Sequence, residues 1–586
     1  MNHSDDHPAE LSPNALYILK KRYLARDSRG RVIENASAMF RRVATTVAQA
    51  ERRYNGDVDV KTWEDAFYSL MARLDFLPNS PTLLNAGRLS GQLSSCFVLP
   101  VEDLVDSTPA SLEEAVLVHR SGGGTGFNFS HIPPRAGNGM RDAPGPVPLI
   151  APFSTATAAV KQGGIRRGCN IAVLDVRHPD ILAFIRAKDD SSALPNFYLA
   201  VGVTQEFMQA VKDRMDYDLF NPHTGKVVGR QSATEIFEHI VGQTWKTGDP
   251  GIIFLDRIHQ GNPVPNLGEV EGVSGCGEQM LLPYESCNLG SINLAHMLTG
   301  KGRVDIDYVK LGATVKLAVR FLDNVIDVNR FPLRKIEEAT RKTRKIGLGV
   351  MGFADMLIQM DVSYDSVKAL EIADKVMTFI NDTAHKASAE LGEEKGGFPA
   401  YKGSIYDRPG GPVMRNASCT TIAPTGTLSL IAGCSNGIEP LFALVYVRRI
   451  MEGRRLLEIN PYFISAAKEL RFYTDGLIEK LARGARLSDI EEVPKAIKRL
   501  FVTAPEIAPQ WHVRMQAAFQ RHVDNAVSKT VNLPRMATRE DVARIYMLAY
   551  EQGLKGITIY RDGSRRKQPL DSRIDAKLIA RHLKQG

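Results

Sequence analysis

The chain has 586 residues, 44% of them apolar and 24% charged, with six cysteines and a formal net charge of +8. That is ordinary globular composition. Six thiols in so long a chain exclude a secreted disulfide scaffold, so a reducing, cytoplasmic setting is expected. No run approaches the roughly 18 apolar residues that span a bilayer, and the polar N-terminus MNHSDDHPAELSP lacks the basic and apolar regions of a signal peptide, so no membrane role is expected. The positive charge gathers at one end: residues 561–586 hold Arg561, Arg565, Arg566, Lys567, Arg573, Lys577, Arg581 and Lys584 against Asp562, Asp571 and Asp575. A basic tail on a nearly neutral body does not point to nucleic-acid binding.

In chain order, residues 14–77 read as helices. In AMFRRVATTVAQAERRYNG, Phe40, Val43 and Val47 share one face and Gly56 is a stop. From Cys96 onward, short apolar runs (CFVLPV, CNIAVLDV, FYLAVGV, GIIFL, IGLGVMGF, GITIY) alternate with helical patterns, which predicts an α/β fold of largely parallel strands covered by helices. Near the C-terminus, Thr538 and Asp541 predict a capping box, Val542, Ile545 and Ala549 an apolar face, and Gly553 a stop. Residues 401–416 read as a loop and 476–500 as a charged helical region. No linker divides the chain.

Several stretches carry possible chemistry. SGGGTGFNFS packs four glycines into Gly122 to Gly126, but no GK[ST] follows and no third glycine completes a dinucleotide fingerprint. A tight turn and a substrate lying on bare backbone both remain open there. APTGTLSLIAGCSNGIEP, from Ala423, offers a Pro-Thr-Gly-Thr turn ahead of a helix starting at Leu428, a cradle suited to phosphate. Asp175, His178 and Asp180 in DVRHPD read as a helix cap and surface charges rather than metal ligands. Cys169, Cys419 and Cys434 lie in apolar runs and read as structural. Cys96 opens a strand beside small polar residues. SGCGEQMLLPYESCNLGSINL holds Cys276, Glu278 and Cys287; with no C-x(2–4)-C pair anywhere, no metal site is expected, and buried thiols or reactive ones remain the alternatives.

FLPNSPTLLNAG, SSCFVLPVED, SGGGTGFNFS, VKQGGIRRGCNIAVLDVRHPDI, CGEQMLLPYESCNLGSINL, IAPTGTLSLIAGCSNGIEP, WHVRMQAAFQRHVDNAVSKTVNLP and KGITIYRDGSR together resemble, in order from about residue 11 to 568, the adenosylcobalamin-dependent (class II) ribonucleotide reductases. The resemblance implies a ten-stranded α/β barrel of two antiparallel halves, each of five parallel strands, with a central finger loop. It divides the chain into an N-terminal helical region (1–78), the barrel catalytic domain (79–562) and a basic tail (563–586).

It also implies roles. Cys276 carries a thiyl radical generated with adenosylcobalamin, and Glu278, two positions on along an extended loop and so on the same face, is the general base. Cys96 and Cys287 form the redox disulfide pair. Ser80, Ser95, Cys96 and Gly124 contact the substrate, and Pro424, Thr425, Gly426, Thr427 and Leu428 hold its phosphates. KQGGIRRG and KDDSSALPN resemble loops that read nucleotide specificity effectors at a homodimer interface. The implied substrate is a ribonucleotide, most readily a diphosphate.

The chain departs from the family in three places. Ser274 stands where Asn is usual, two residues before the radical cysteine; serine still donates and accepts hydrogen bonds but is shorter. No cysteine follows Cys434, so a thioredoxin-like reductant or a separate cysteine-bearing chain is expected. No N-terminal nucleotide cone is recognisable, so only specificity control is expected. The cofactor enters through the resemblance alone, because no D-x-H-x-x-G cobalamin signature exists. A glycyl-radical relative should carry an R-x-x-G-Y tail, and an iron-dependent one a tyrosine pair where only Tyr560 stands. The alternative reading is a non-catalytic nucleotide-binding subunit of a reductase complex, against which the joint presence of Cys96, Cys276, Glu278 and Cys287 argues.

Overall fold

The structure is a computed structural model that describes residues 10–565 apart from 102–106, 136–143, 163–165, 191, 271, 301–303 and 450–454, together with 570–571 and 574. Most of the basic tail, and part of each expected effector loop, lies outside the described residues.

The predicted N-terminal helices are α1 (Pro13–Ile18), which runs on into a π-helical turn at Leu19–Tyr23, α2 (Ala36–Ala48) and α3 (Val60–Ala72). Side chains start each of them: Ser12, Asn35 and Asp59 accept the amides of Ala15, Ala38 and Lys61. Met39, Phe40, Val43 and Val47 of α2 then enter one core with Phe67 and Phe76.

Five strands, β1 (Cys96–Val98), β2 (Gly124–Asn128), β3 (Asn170–Asp175), β4 (Phe197–Val203) and β5 (Gly251–Phe254), pair in parallel, each with the next. The second half has β6 (Ser286–Asn293) parallel to β7 (Ile346–Met351), and β8 (Thr530–Leu533) parallel to β9 (Gly556–Arg561). Between them, 420–422 bridges in parallel to Leu348 on one side and to Val527 on the other. Antiparallel pairing of β6 with β1 and of β9 with β5 closes the ring. Counting the bridging segment, this is the expected barrel of two five-stranded halves.

Alternation along β3 shows the two faces. Ala172 and Leu174 pack with Phe237 and Ile240 of α4 (Ala233–Thr247) and Val542 of α5 (Arg539–Glu551), whereas Ile171 and Val173 pack inward on Val273, Met280 and Leu282. Both faces are therefore covered, which is why the strands read as continuous apolar runs. The capping box of α5 forms as predicted: the Asp541 amide donates to Thr538 Oγ1 at 3.3 Å and the Thr538 amide to Asp541 Oδ2 at 2.8 Å.

Inside the ring lies a finger hairpin, Gly272–Val273 paired with Met280–Leu281. Its seat explains one glycine of SGGGTGFNFS: a Cβ on Gly126 would stand 1.9 Å from the Val273 carbonyl oxygen. The bare backbone at that position receives the finger, not a substrate. His178 also departs from expectation. It is buried, its Nδ1 accepting the Asp180 amide at 3.0 Å, which leaves the Nε2 proton for the Ile132 carbonyl at 2.8 Å. Burial lowers its pKa, so it is a neutral internal strut rather than a surface charge.

Candidate active site

The antiparallel register of β1 and β6 sets Cys96 directly opposite Cys287, and both are buried free thiols. On its other side Cys96 pairs with Gly124, whose amide donates to the Ser95 carbonyl at 2.9 Å. Four expected site residues, Ser95, Cys96, Gly124 and Cys287, thus meet through main-chain pairing alone. Ser95 Oγ lies 3.6 Å from Cys96 Sγ, and that thiol points its hydrogen at Glu278 Oε1, 3.5 Å away.

Glu278 comes from the tip of the finger. The Ser274 amide donates to the Gln279 carbonyl at 2.9 Å, the Gln279 amide returns to Ser274 Oγ at 3.3 Å, and the Gly277 amide donates to the Ser274 carbonyl at 2.8 Å. Gly277 sits at φ +78°, where a side chain would be strained. The Glu278 carbonyl then accepts Thr421 Oγ1 at 2.7 Å and the Ala526 amide at 3.0 Å, which ties the tip to the far half of the barrel.

This tight turn corrects the extended-loop expectation. Glu278 is buried and reaches Cys96, while Cys276 is exposed and lines a cavity with Tyr198, Gly251, Lys555, Gly556 and Thr558. The positive φ at Gly277 breaks the alternation that would have put 276 and 278 on one face. Gly251 on the cavity wall has no room for a Cβ, which would fall 2.1 Å from Tyr198 Oη; that hydroxyl donates to Thr558 Oγ1 at 3.3 Å.

Burial pushes the Cys96 thiol well above the ordinary range; the Glu278 and Cys287 charges push it further, and hydrogen bonds from Ser95 and Ser274 oppose them. Burial also raises Cys287, with the Lys345 charge opposing and Glu285 and Glu278 adding. Both sulfurs are therefore protonated near neutral pH. Ser274 is wholly buried beside Cys96, so its hydroxyl serves the finger turn and the thiol at once.

The turn at 424–428 leads into the expected helix, Leu428–Ala432. Thr425 has φ +52° and its Oγ1 accepts the Gly437 amide at 2.8 Å, while Ala423 packs in one apolar cluster with Cys96 and Cys287. Sequence patterns did not flag what meets this turn. Arg22 donates to Thr427 Oγ1 at 3.3 Å, Arg448 to the Gly426 carbonyl at 2.7 Å, and the Tyr23 hydroxyl lies 2.8 Å from Ser80 Oγ. KKRYL looks like the basic face of a helix; only the π-helical turn at Leu19–Tyr23 marks it as unusual, since such turns are frequent at functional sites.

His385, Cys419 and Asp524 also cluster, with their ligand atoms within 4.8 Å of one another. Their contacts are direct hydrogen bonds: His385 Nε2 lies 2.9 Å from each Asp524 oxygen, and the Cys419 amide donates to Asp524 at 2.7 Å. Cys419 itself is a buried free thiol.

The family model described as the ribonucleotide reductase barrel domain matches residues 94–413 and 411–560, and the ribonucleotide reductase all-alpha domain matches residues 9–91. The chain is 48% identical to a vitamin B12-dependent ribonucleoside-diphosphate reductase of Mycobacterium tuberculosis, over 97% of this chain and 82% of the relative. It is 46% identical to a protein of the same description from Thermoplasma acidophilum, over 96% of this chain and 80% of the relative. In fold it is similar to the Actinobacillus ureae class Id ribonucleotide reductase alpha subunit, with a TM-score of 0.77 at 23% identity over 94% of this chain and 97% of that one. The chain belongs to the ribonucleotide reductase family.

Proposed function

We propose that the chain reduces ribonucleotides, foremost ribonucleoside diphosphates, to 2′-deoxyribonucleotides with adenosylcobalamin as its radical source. The reading rests chiefly on two buried thiols held as cross-strand partners with a carboxylate 3.5 Å from one of them, at the tip of a finger that carries a third, exposed thiol. A non-catalytic nucleotide-binding subunit has no use for that grouping.

Tyr198, Gly251, Lys555, Gly556 and Thr558, which line the cavity beside Cys276, would face the adenosyl group of the cofactor. When bound, the cofactor supplies a hydrogen-abstracting radical. Cys276 then serves as the thiyl that takes hydrogen from the 3′ carbon of the ribose and later returns it. Glu278 accepts the 3′-hydroxyl proton as the 2′-hydroxyl leaves as water. Cys96, kept neutral by burial, protonates the leaving oxygen. Cys96 and Cys287 give up two electrons and close as a disulfide.

Ser80, Ser95 and Gly124 contact the sugar, and Pro424 to Leu428 receive the phosphates, with Arg22 and Arg448 bringing positive charge to that turn. The same reading takes the chain as a cytoplasmic homodimer, tuned by nucleotide effectors at 161–168 and 188–196, with the barrel at 79–562. Its disulfide is reloaded by a thioredoxin-like dithiol or a separate cysteine-bearing chain. Among the described residues no helix is long and apolar enough to cross a membrane.

The test is incubation of purified protein with adenosylcobalamin, a ribonucleoside diphosphate, dithiothreitol and deoxynucleotide effectors. Deoxynucleotide should form, and Cys276→Ser should abolish it. No product with any effector overturns the reading.

A further inference from the structure

Behind Cys287 lies an ion pair with no part in the scheme above. Lys345 Nζ and Glu285 Oε2 stand 2.6 Å apart, and both residues are about 1% exposed. Glu285 is well satisfied: its Oε2 also accepts the Leu282 amide at 2.7 Å and its Oε1 accepts Thr343 Oγ1 at 2.5 Å. Lys345 is not. Its ammonium carries three N–H donors, and among the described residues its one hydrogen-bond acceptor is Glu285.

A buried ion pair adds little net stability, because desolvating two charges offsets their attraction, and an under-satisfied ammonium makes the balance worse. The surroundings supply a reason for its position. The parallel register of β6 and β7 joins Asn288 to Ile346, so Lys345 enters its strand beside Cys287, whose Sγ lies 3.6 Å from the Lys345 carbonyl. Cys287 thus has Cys96 on one side and Lys345 on the other.

We propose that Lys345, held by Glu285, is a positioning residue for reduction of the Cys96–Cys287 disulfide, its ammonium stabilising the negative charge that develops on Cys287 sulfur. The inference rests on the redox pairing proposed above. Cys96 is 5% exposed and Cys287 not at all, so an external dithiol reaches Cys96. One thiolate of the dithiol attacks Cys96 Sγ, a mixed disulfide forms, the Cys96–Cys287 bond breaks, and its electron pair goes to Cys287 Sγ. The second thiol then attacks the mixed disulfide and releases Cys96. The dithiol ends as a disulfide, and the two protons it lost leave Cys96 and Cys287 as thiols. Cys287 is the leaving group of the first step, and exchange is faster when the leaving thiolate is better stabilised. Beyond Lys345, the charges that face Cys287 are Glu285 and Glu278, both opposing a thiolate.

Full-length protein is oxidised with diamide, the Cys96–Cys287 linkage is verified by peptide mapping, and its reduction by dithiothreitol is timed at fixed pH. Lys345→Met should slow reduction tenfold or more, Lys345→Arg should restore most of the rate, and Glu285→Gln, which leaves the ammonium unopposed, should accelerate it severalfold. A purely structural pair gives effects of the same sign in Lys345→Met and Glu285→Gln, or none, and either result overturns the proposal. If Lys345→Met does not fold, the direction of the Glu285→Gln effect alone decides. Failure of the parent protein to form the Cys96–Cys287 linkage instead counts against the redox pairing itself.

Discussion

Gly126 and Val273 meet backbone to backbone, with no room between β2 and the finger for a single added carbon. That contact sets how far the finger enters the barrel, and hence where Glu278 stands. Gly126→Ala forces a shift of the Val273 carbonyl, and overpacking of this kind costs about 1–3 kcal/mol. The variant should unfold at lower denaturant and lose at least tenfold in turnover. A variant with parental activity and stability would show that the finger has slack.

In the proposed mechanism Glu278 acts on two neighbours, the 3′-hydroxyl of the substrate and the Cys96 thiol, whose sulfur lies 3.5 Å from it. Loss of a general base typically lowers turnover by about 10²–10⁴-fold, so Glu278→Gln should fall in that range with little change in KM. The same change removes a negative charge that helps hold Cys96 in its thiol form. Cys96 in Glu278→Gln should therefore be alkylated faster than in the parent at the same pH, measured by mass spectrometry with iodoacetamide.

Arg22 reaches the 424–428 turn, the proposed phosphate cradle, from the N-terminal helical region. Arg22→Gln should raise KM for a ribonucleoside diphosphate about tenfold with kcat nearly unchanged, the pattern of lost uniform binding. Steady-state kinetics checks it, with Arg22→Lys retaining part of the affinity.

Asp355 is buried, and burial pushes its carboxyl from 3.8 up to about 6, against hydrogen bonds from Ser435. A carboxyl raised on folding contributes stability that is complete below its unfolded pKa and is lost as pH climbs through about 6. Asp355→Asn stays neutral throughout. Relative to the parent it should gain stability between pH 4 and 7.5, by about 2 kcal/mol for a shift near two units. Thermal melts at the two pH values measure the gain.

Much of this was legible in the sequence because it is local. The apolar runs, the Thr538–Asp541 capping box and the order of the cysteine blocks are written in neighbouring residues, and the fold follows from them. The tenth barrel position was harder, since 420–422 joins its neighbours by single bridges and hides in a loop-like stretch between Cys419 and Pro424. Nothing local marks Gly126 as the seat of the finger or Lys345 as the neighbour of Cys287, because each depends on residues more than fifty positions away. The C-x-E spacing misled for a different reason: an extended loop was assumed where Gly277 makes a turn. Ser274 looked like a weakness against the family pattern, yet its hydroxyl closes that turn beside Cys96.

The central claim is that Cys96 and Cys287 supply the electrons for ribonucleotide reduction. Its most direct test uses pre-reduced protein freed of dithiothreitol, then given adenosylcobalamin, an effector and a ribonucleoside diphosphate, with product and thiols both counted. The account predicts about one deoxynucleotide per chain, with a Cys96–Cys287 disulfide recovered in equal amount by peptide mapping. Product without that disulfide, or with a disulfide between other cysteines, would contradict it.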